Sequence, residues 1–262
     1  MASSSSSALM EPEREELEKL HRECFKDGGV VVGIDLGTTF STVVAIVNGK
    51  QVVIRSGEYG ASIPSFIHFR DNGEVEFGHK AKQQAVLNRE STFYRVKSLL
   101  AKKFDEINPD DYDFEVVEET RDNDRKGYVN IEWKETQYPP EYISGLLLRH
   151  LKQEAEKQLG VPVHCAVITV PSDFGELQRQ ATRRAGEIAG LHVLEMIDEP
   201  SAAALEAMYD RRNKDQRERK MMVFDFGGGT LDVTLLEMNS GVFNVLGKAG
   251  NQSLGGETID KR

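Results

Sequence analysis

The chain has 262 residues, and its 43 acidic against 33 basic side chains give a formal charge of −10 at neutral pH. This acidic balance, without basic runs, argues against a nucleic-acid-binding protein, because neutralising phosphates needs clustered Lys and Arg. Hydrophobic residues make up 39% of the sequence, yet no apolar run reaches the roughly 20 residues that span a membrane. The length suffices for a sizeable core in one large domain or two lobes.

The first 29 residues form a leader of distinct composition. Residues 3–7 are a serine tract, which cannot bury apolar surface and is predicted to be disordered. Residues 11–26 are predicted to form a helix with a narrow apolar stripe that includes Cys24. This helix either docks on the body or on a partner, or is a solvated extension. Asp27-Gly28-Gly29 ends the leader.

Cysteine usage and the leader suggest a location for the protein. Cys24 and Cys165 are too few for a disulfide framework or a zinc site, so we expect a reducing compartment. The leader has no basic segment followed by an apolar core, and no secretory signal is predicted. We therefore expect a soluble protein of the cytoplasm, with the nucleus left open.

The first strands are predicted just after the leader, where the sequence becomes Val-Val-Val-Gly-Ile-Asp from Val30 onward. Asn48-Gly49 predicts a hairpin, because both residues tolerate a positive φ. The acidic stretch 104–124 is predicted to be a solvated loop rather than a binding site. The other predicted elements in this half are strands at 42–47, 51–55 and 63–69 and helices at 80–87 and 92–103.

The second half begins with a long helix, predicted to start at Pro140 and to end at Gly160. Residues 210–220 are highly charged and are predicted to be a surface connection. The other predicted elements are strands at 164–170, 191–197, 221–226, 231–237 and 242–248 and helices at 176–189 and 201–209. Hairpins and alternating strands and helices together favour an α/β protein whose mixed sheets carry flanking helices.

Two turns about 190 residues apart share one pattern, Asp35-Leu-Gly-Thr-Thr and Asp225-Phe-Gly-Gly-Gly-Thr. Each follows a hydrophobic strand and precedes another strand. The backbone amides and hydroxyls of such a turn can surround a phosphate, and glycine lets the backbone come close. A carboxylate cannot hold phosphate directly, so its natural task is to hold a hydrated divalent cation. One such turn is more often structural, but two facing turns can grip a polyphosphate from both sides.

Two other phosphate-binding signatures fail. Residues 241–248 resemble a Walker loop, but they have one residue too many before Gly247-Lys248, and Ala249 stands where Ser or Thr should bind magnesium. Asp225-Phe226-Gly227 spells the metal-binding triplet of protein kinases. The remaining kinase motifs are missing from the sequence, so this interpretation is also rejected.

Five ordered segments give the chain a resemblance to the seventy-kilodalton heat-shock chaperones of the DnaK type, within the actin-like ATPase superfamily. The similarity runs from about Val30 to Arg262. The segments are Gly33-Ile-Asp-Leu-Gly-Thr-Thr-Phe-Ser, Val167-Ile-Thr-Val-Pro-Ser-Asp-Phe, Gln178-Arg-Gln-Ala-Thr, Ile197-Asp-Glu-Pro-Ser-Ala-Ala-Ala and Val223-Phe-Asp-Phe-Gly-Gly-Gly-Thr-Leu-Asp-Val.

The resemblance implies a site for ATP or ADP with Mg²⁺. Asp35 and Asp225 match the carboxylates that hold the hydration shell of the cation. The residues that match the two phosphate turns are Gly37, Thr38, Thr39 and Phe40 in the first and Gly227, Gly228, Gly229 and Thr230 in the second.

The resemblance also implies catalytic residues for phosphoryl transfer to water. Lys97 matches the lysine that approaches the γ-phosphate, although Ser98 follows it where the family usually has arginine. The acidic members of the catalytic cluster are Glu199, Asp225 and Asp232, and Thr230 stands beside them. Such transfer depends on positioning and charge neutralisation.

Pro171 and Arg179 match a relay between the nucleotide site and a peptide-binding domain. Expected partners are nucleotide and co-chaperones or nucleotide-exchange factors, with neither nucleic acid nor membrane among them. In the family, well over a hundred further residues complete the second lobe, and the peptide-binding domain follows. We therefore expect no client-peptide binding by this chain alone.

The implied fold is an actin-like ATPase fold with a ribonuclease-H-like core, in which lobe I is complete and lobe II is truncated. The expected division is a leader at 1–29, lobe I at 30–209, a connection at 210–219 and the start of lobe II at 220–262. An incomplete lobe II would expose apolar surface and favour self-association.

Three functions compete at this point. The first is an ATP-hydrolysing nucleotide domain of a chaperone, coupled to protein folding in a longer parent. The second is a catalytically weak regulatory or protein-interaction module derived from that domain. A sugar kinase of the same superfamily is disfavoured, because the connecting and second phosphate motifs follow the chaperone pattern.

Overall fold

A computed structural model describes residues 11–57, 60–209, 219–239, 242–251, 254–256 and 259. The serine tract and nearly all of the predicted connection lie outside the described residues. The helices are α1 (Glu11–Cys24), α2 (Gly78–Gln84), α3 (Pro140–Leu159), α4 (Glu176–Ile188) and α5 (Glu199–Tyr209). The strands are β1 (Val30–Leu36), β2 (Phe40–Val47), β3 (Lys50–Val53), β4 (Ile63–Pro64), β5 (Ile67–Phe69), β6 (Val75–Phe77), β7 (Thr92–Phe93), β8 (Val116–Glu118), β9 (Val129–Trp133), β10 (Thr136–Tyr138), β11 (Val163–Val170), β12 (His192–Asp198), β13 (Arg219–Phe226), β14 (Leu231–Asn239) and β15 (Val242–Asn251).

The central sheet has the strand order β12-β11-β1-β2-β3, with β4 paired to β2. Its β1, β11 and β12 are parallel, whereas β1, β2 and β3 form an antiparallel meander. Asn48 and Gly49 take positive φ values of 51° and 72° at the β2–β3 turn, as the hairpin signal predicts. The mixed sheet expected from the sequence is confirmed.

Side chains alternate across β1 because successive residues of a strand point to opposite faces. Val32, Ile34 and Leu36 are buried in the core, whereas Gly33 and Asp35 lie on the other, accessible face. This alternation leaves a glycine and a carboxylate free to line a cleft.

Helices α3 and α4 pack against each other. A Cβ added to Gly145 of α3 would lie 2.7 Å from the side chain of Ile188, so glycine permits this close approach. Helix α3 begins at Pro140 and is capped by Gly160 in the left-handed conformation, which confirms both predicted ends. No helix among the described residues is long and apolar enough to cross a membrane.

A separate antiparallel sheet consists of β13, β14 and β15. Leu236 and Met238 of β14 are buried on one face. On β13, Met222, Phe224 and Phe226 are 68%, 63% and 42% exposed. The sheet therefore presents a row of large apolar side chains to solvent, which we call the β13 apolar row.

Three predicted segments differ from the structure: the strand at 63–69, the helix at 92–103 and the loop at 104–124. The strand predicted at 63–69 is two short strands in different sheets, because Ser65 between them donates its amide to Thr39 and its hydroxyl to Gly37. The helix predicted at 92–103 is strand β7 followed by a 3-10 turn at Val96–Leu99.

The acidic stretch at 104–124 is not entirely a solvated loop. Phe114 and Val116 are buried in the hydrophobic core, and β8 pairs with β9. The two apolar side chains pin this stretch to the body, and Glu119 is buried too, where its carboxylate accepts hydrogen bonds from the amides of Arg121 and Asp122.

The cysteines are also not as expected, because Cys24 at the end of α1 is joined to Cys165 of β11 by a disulfide. Both residues are buried, and their Cα atoms are 5.3 Å apart. The bridge closes a separation of 141 residues and fastens the leader helix to the central sheet. The argument for a reducing compartment, which assumed unpaired cysteines, therefore no longer holds.

Candidate functional site

A cleft of about 940 Å³ lies between the central sheet and the β13–β15 sheet. Both Asp-Gly-Thr turns line it, although they are about 190 residues apart in the chain. The predicted site residues that line the cleft are Asp35, Gly37, Thr38, Thr39, Phe40, Lys97, Pro171, Glu199, Asp225, Gly227, Gly228, Gly229, Thr230 and Asp232.

Each turn joins two antiparallel strands. The first connects β1 to β2, where Asp35 pairs with Thr42, and the second connects β13 to β14, where Asp225 pairs with Asp232. The amide of Gly227 donates to the carbonyl of Thr230 at 2.9 Å and closes the second turn. Both turns are hairpin connections, and both line the same cleft.

The turns touch at Gly228 and Thr39. A Cβ on Gly228 would lie 1.9 Å from the hydroxyl oxygen of Thr39 and 2.8 Å from its Cβ. Gly255, which the sequence analysis did not assign to the site, packs against Gly228. A Cβ on Gly255 would lie 2.3 Å from the carbonyl oxygen of Gly228. Glycine is therefore required for the backbones to pack this closely.

Three carboxylates of the cleft, Asp35, Glu199 and Asp225, lie close enough for their charges to act on one another. Burial, followed by the negative charge of Asp35, raises the pKa of Asp225 above its ordinary value. Burial also raises the pKa of Glu199, and both Asp35 and Asp225 add to that shift. Because the charge of Asp35 raises the pKa of both Asp225 and Glu199, the negative charge gathered here favours a bound cation.

Lys97 supplies one cation there. It lies on the 3-10 turn that replaces the predicted helix, is 7% exposed, and donates to Glu199. Its ammonium group is 5.7 Å from the centre of the Phe174 ring. The charge of Lys97 opposes the rise in the pKa of Glu199, although burial has the larger effect.

Ser98, the departure from the family pattern, turns back toward its own backbone. Its hydroxyl donates to the carbonyl of Arg95 at 2.7 Å and lies 3.2 Å from the hydroxyl of Tyr112. A short side chain here braces the 3-10 turn that carries Lys97.

Asp232 lies across β13–β14 from Asp225. Burial, followed by the charge of Asp173, raises the pKa of Asp232, while a hydrogen bond from Thr230 acts in the opposite direction. Asp232 therefore lies in the same acidic cluster as Asp225, and Thr230 lies beside it.

The structure separates the two residues of the predicted relay. Pro171 lines the cleft, but Arg179 is not among the residues that line it. Arg179 instead donates to the carbonyl of Phe174 at 3.1 Å and to Asp198 at 2.5 Å. Arg179 thus connects to the cleft through the loop that follows β11 and through Asp198, which stands between the cleft-lining residues Ile197 and Glu199.

Two contacts were not found from the sequence. Thr169 of β11 donates its hydroxyl to Asp35 at 2.6 Å. Lys248 of β15 donates to the carbonyl of Ser172 at 2.8 Å and so joins the β13–β15 sheet to the loop that holds Pro171. Thr169 stands inside one of the recognised segments, whereas Lys248 was considered only as part of the rejected Walker-like run.

The donor set of the cleft fits Mg²⁺ bound with a nucleotide. Mg²⁺ usually keeps several waters and takes one or two carboxylates together with phosphate oxygens. Asp35 and Asp225 supply such carboxylates beside two turns of glycine and threonine. Within the described part of the chain, no three His, Cys, Asp or Glu side chains are placed to hold a metal directly.

The family model described as "Hsp70 protein" matches residues 31–262. The chain is 44% identical over 234 residues to the "Chaperone protein dnaK" of Cyanidium caldarium, covering 88% of this chain and 37% of that protein. It is 45% identical over 235 residues to the "Chaperone protein dnaK3" of Thermosynechococcus vestitus, covering 89% of this chain and 34% of that protein. The chain thus spans about a third of the length of these relatives.

Proposed function

The chain belongs to the Hsp70 family, as part of its N-terminal nucleotide-binding domain with the actin-like ATPase fold, and from this premise we propose that it binds ATP with Mg²⁺ and hydrolyses it. In a longer parent protein, this hydrolysis would be coupled to protein folding.

The observation that carries the proposal is the meeting of two phosphate turns and an acidic cluster in one cleft. Gly37 to Phe40 and Gly227 to Thr230 both line this cleft. Backbone amides of such turns bind phosphate oxygens from two sides. The contact of Gly228 with Thr39 sets how closely the two turns approach each other.

The proposed chemistry assigns distinct tasks to the residues of the cleft. Lys97 offsets the negative charge that develops on the transferred phosphoryl group, as a preorganised cation does most effectively away from bulk water. Glu199, held by Lys97, orients the attacking water, together with Asp225 and Asp232. Mg²⁺, when bound, would neutralise charge on the phosphates and help to orient them.

Burial favours Glu199 as the residue that accepts the water's hydrogen bond. Its pKa is raised, and a base with a pKa closer to the working pH accepts a proton more readily than an exposed carboxylate does. The contact with Lys97 keeps this carboxylate in one orientation.

Coupling to the rest of a longer protein would start at Pro171 and Arg179. Pro171 lines the cleft, and Arg179 holds the loop behind it through the carbonyl of Phe174. A change in the bound nucleotide would therefore shift this loop and the Arg179–Asp198 ion pair. The partners that respond would be co-chaperones or nucleotide-exchange factors.

The test is calorimetry with Mg²⁺ and ATP, together with single-turnover measurement of phosphate release. We expect the unmodified chain to bind and hydrolyse ATP, Asp35→Asn to lose the magnesium-dependent part of binding, and Lys97→Ala to lose turnover. No heat of binding and no phosphate release would reject the proposal. ADP formation that depends on glucose would instead revive the sugar kinase.

A further inference from the structure

The side chain of Asp35 is held by a strand that is distant in sequence. The hydroxyl of Thr169 donates to Oδ1 of Asp35 at 2.6 Å, across 134 residues of chain. A hydroxyl that donates to a carboxylate over so short a distance makes a strong, charge-assisted hydrogen bond. Both residues line the cleft.

The parallel pairing of β1 with β11 brings the two residues together. Ile34 pairs with Ile168, and Asp35 and Thr169 are the next residues on their strands. Thr169 is β-branched, which restricts rotation about its first side-chain bond. The strand and the branched side chain together fix where the hydroxyl points.

Asp35 lies close to two other carboxylates, whose negative charge acts on the orientation of its side chain. Asp225 and Glu199 are close enough that the charge of Asp35 raises the pKa of each. Repulsion of this kind favours rotation of Asp35 away from the cluster. A hydrogen bond to one oxygen opposes that rotation and leaves the second oxygen available.

We infer that Thr169 is a positioning residue for the divalent cation, acting through Asp35. It holds the carboxylate in the orientation that binds the hydrated cation, and so contributes to the affinity for nucleotide only when the cation is present. The inference rests on the proposed function, because it assumes a magnesium-nucleotide site.

Calorimetry with ADP, with and without Mg²⁺, tests the inference on the whole chain. Thr169→Val removes the hydroxyl while keeping the shape of the side chain, and Thr169→Ser keeps the hydroxyl. The matched control is Thr42→Val, because Thr42 lines the same cleft and pairs with Asp35 across β1 and β2. A melting temperature for each variant reports any general damage.

In Thr169→Val, we expect the factor by which Mg²⁺ increases the affinity for ADP to fall about tenfold. A loss of this size corresponds to one hydrogen bond to a charged group. Its affinity for ADP without magnesium should be unchanged, and Thr169→Ser and Thr42→Val should keep most of the gain. A full gain in Thr169→Val would overturn the inference, as would an equal loss in Thr42→Val. If the unmodified chain shows no magnesium-dependent gain, the proposed function fails and this inference fails with it.

Discussion

Lys97 and Glu199 form a largely buried ion pair that joins the 3-10 turn after β7 to the first residue of α5. The side chains are 7% and 19% exposed. Because both are withdrawn from water, each depends on the other for its charge to be tolerated. This pair fixes the position of the lysine in the cleft and connects residues 102 positions apart.

Replacing this lysine should separate catalysis from binding. In Lys97→Met, we expect single-turnover phosphate release to fall by about a hundredfold or more, the usual cost of removing one preorganised electrostatic group. The affinity for Mg²⁺ and ADP should change little, because the phosphate turns remain. The control is Lys80→Met, an exposed position on α2. Equal rates of phosphate release in both variants would show that Lys97 has no role in hydrolysis.

The contact between the two phosphate turns can be tested with a pair of adjacent glycines. In Gly228→Ala, the new Cβ would meet the Thr39 side chain at 1.9 Å, so the turns must separate. In Gly229→Ala, the nearest atom is a methyl carbon of Thr38 at 3.5 Å, which is ordinary contact. We expect Gly228→Ala to lower nucleotide affinity at least tenfold, and Gly229→Ala to keep it within about threefold. Calorimetry of ADP binding distinguishes these outcomes, and equal affinities would contradict the contact.

The Cys24–Cys165 bridge should stabilise the fold. Closing a loop of 141 residues lowers the entropy of the unfolded chain, by an amount worth roughly 2 to 5 kcal/mol. We expect the urea midpoint to fall on adding a dithiol reductant. In Cys24→Ser, the midpoint should match the reduced protein and should not respond to reductant. A midpoint that reductant leaves unchanged in the unmodified chain would argue that the bridge is absent in solution.

His150 should make stability depend on pH near neutrality. It stacks on Phe77 with ring centres 4.7 Å apart, and burial lowers its pKa in the folded state, although Glu154 opposes the shift. The unfolded chain, with a pKa of about 6.5 at this residue, therefore takes up the proton first. The stabilising contribution is complete above that pH and is lost as the pH falls through the folded-state pKa.

The measurement for His150 is the unfolding free energy between pH 7.5 and pH 5, values chosen as roughly one pH unit or more on either side of the unfolded pKa. His150→Gln should have a flatter profile than the unmodified chain. The control is His192→Gln, since His192 is exposed at the start of β12. Parallel profiles for His150→Gln and the unmodified chain would show that His150 does not contribute.

The β13 apolar row should promote self-association. Phe224 is 63% exposed between Met222 and Phe226, so contact with another copy would remove a continuous apolar surface from water. We expect sedimentation velocity to show a concentration-dependent increase in mass for the unmodified chain, which Phe224→Ser weakens. Glu237→Gln, on the neighbouring strand, is the control. A chain that stays monomeric at all concentrations would contradict this prediction.

Much of the fold follows from local signals in the sequence. Pro140 and Gly160 bound α3 because each suits one end of a helix, and Asn48-Gly49 forms the β2–β3 turn because both residues accept a positive φ. The prediction failed where distant contacts compete with local preference. Residues 92–103 have helical composition, but β7 pairs with β5, and Lys97 is held by Glu199.

The sequence by itself determined the chemical types at the site: two aspartates, each followed by a glycine and threonine turn, and a recognisable order of motifs. Only the tertiary structure decided which of them meet. The parallel pairing of β1 and β11 places Thr169 on Asp35, the packing of two hairpins places Gly228 on Thr39, and the disulfide fastens Cys24 to Cys165. These contacts join residues 134, about 190 and 141 positions apart. No local preference specifies them, because they depend on how whole strands and sheets pack.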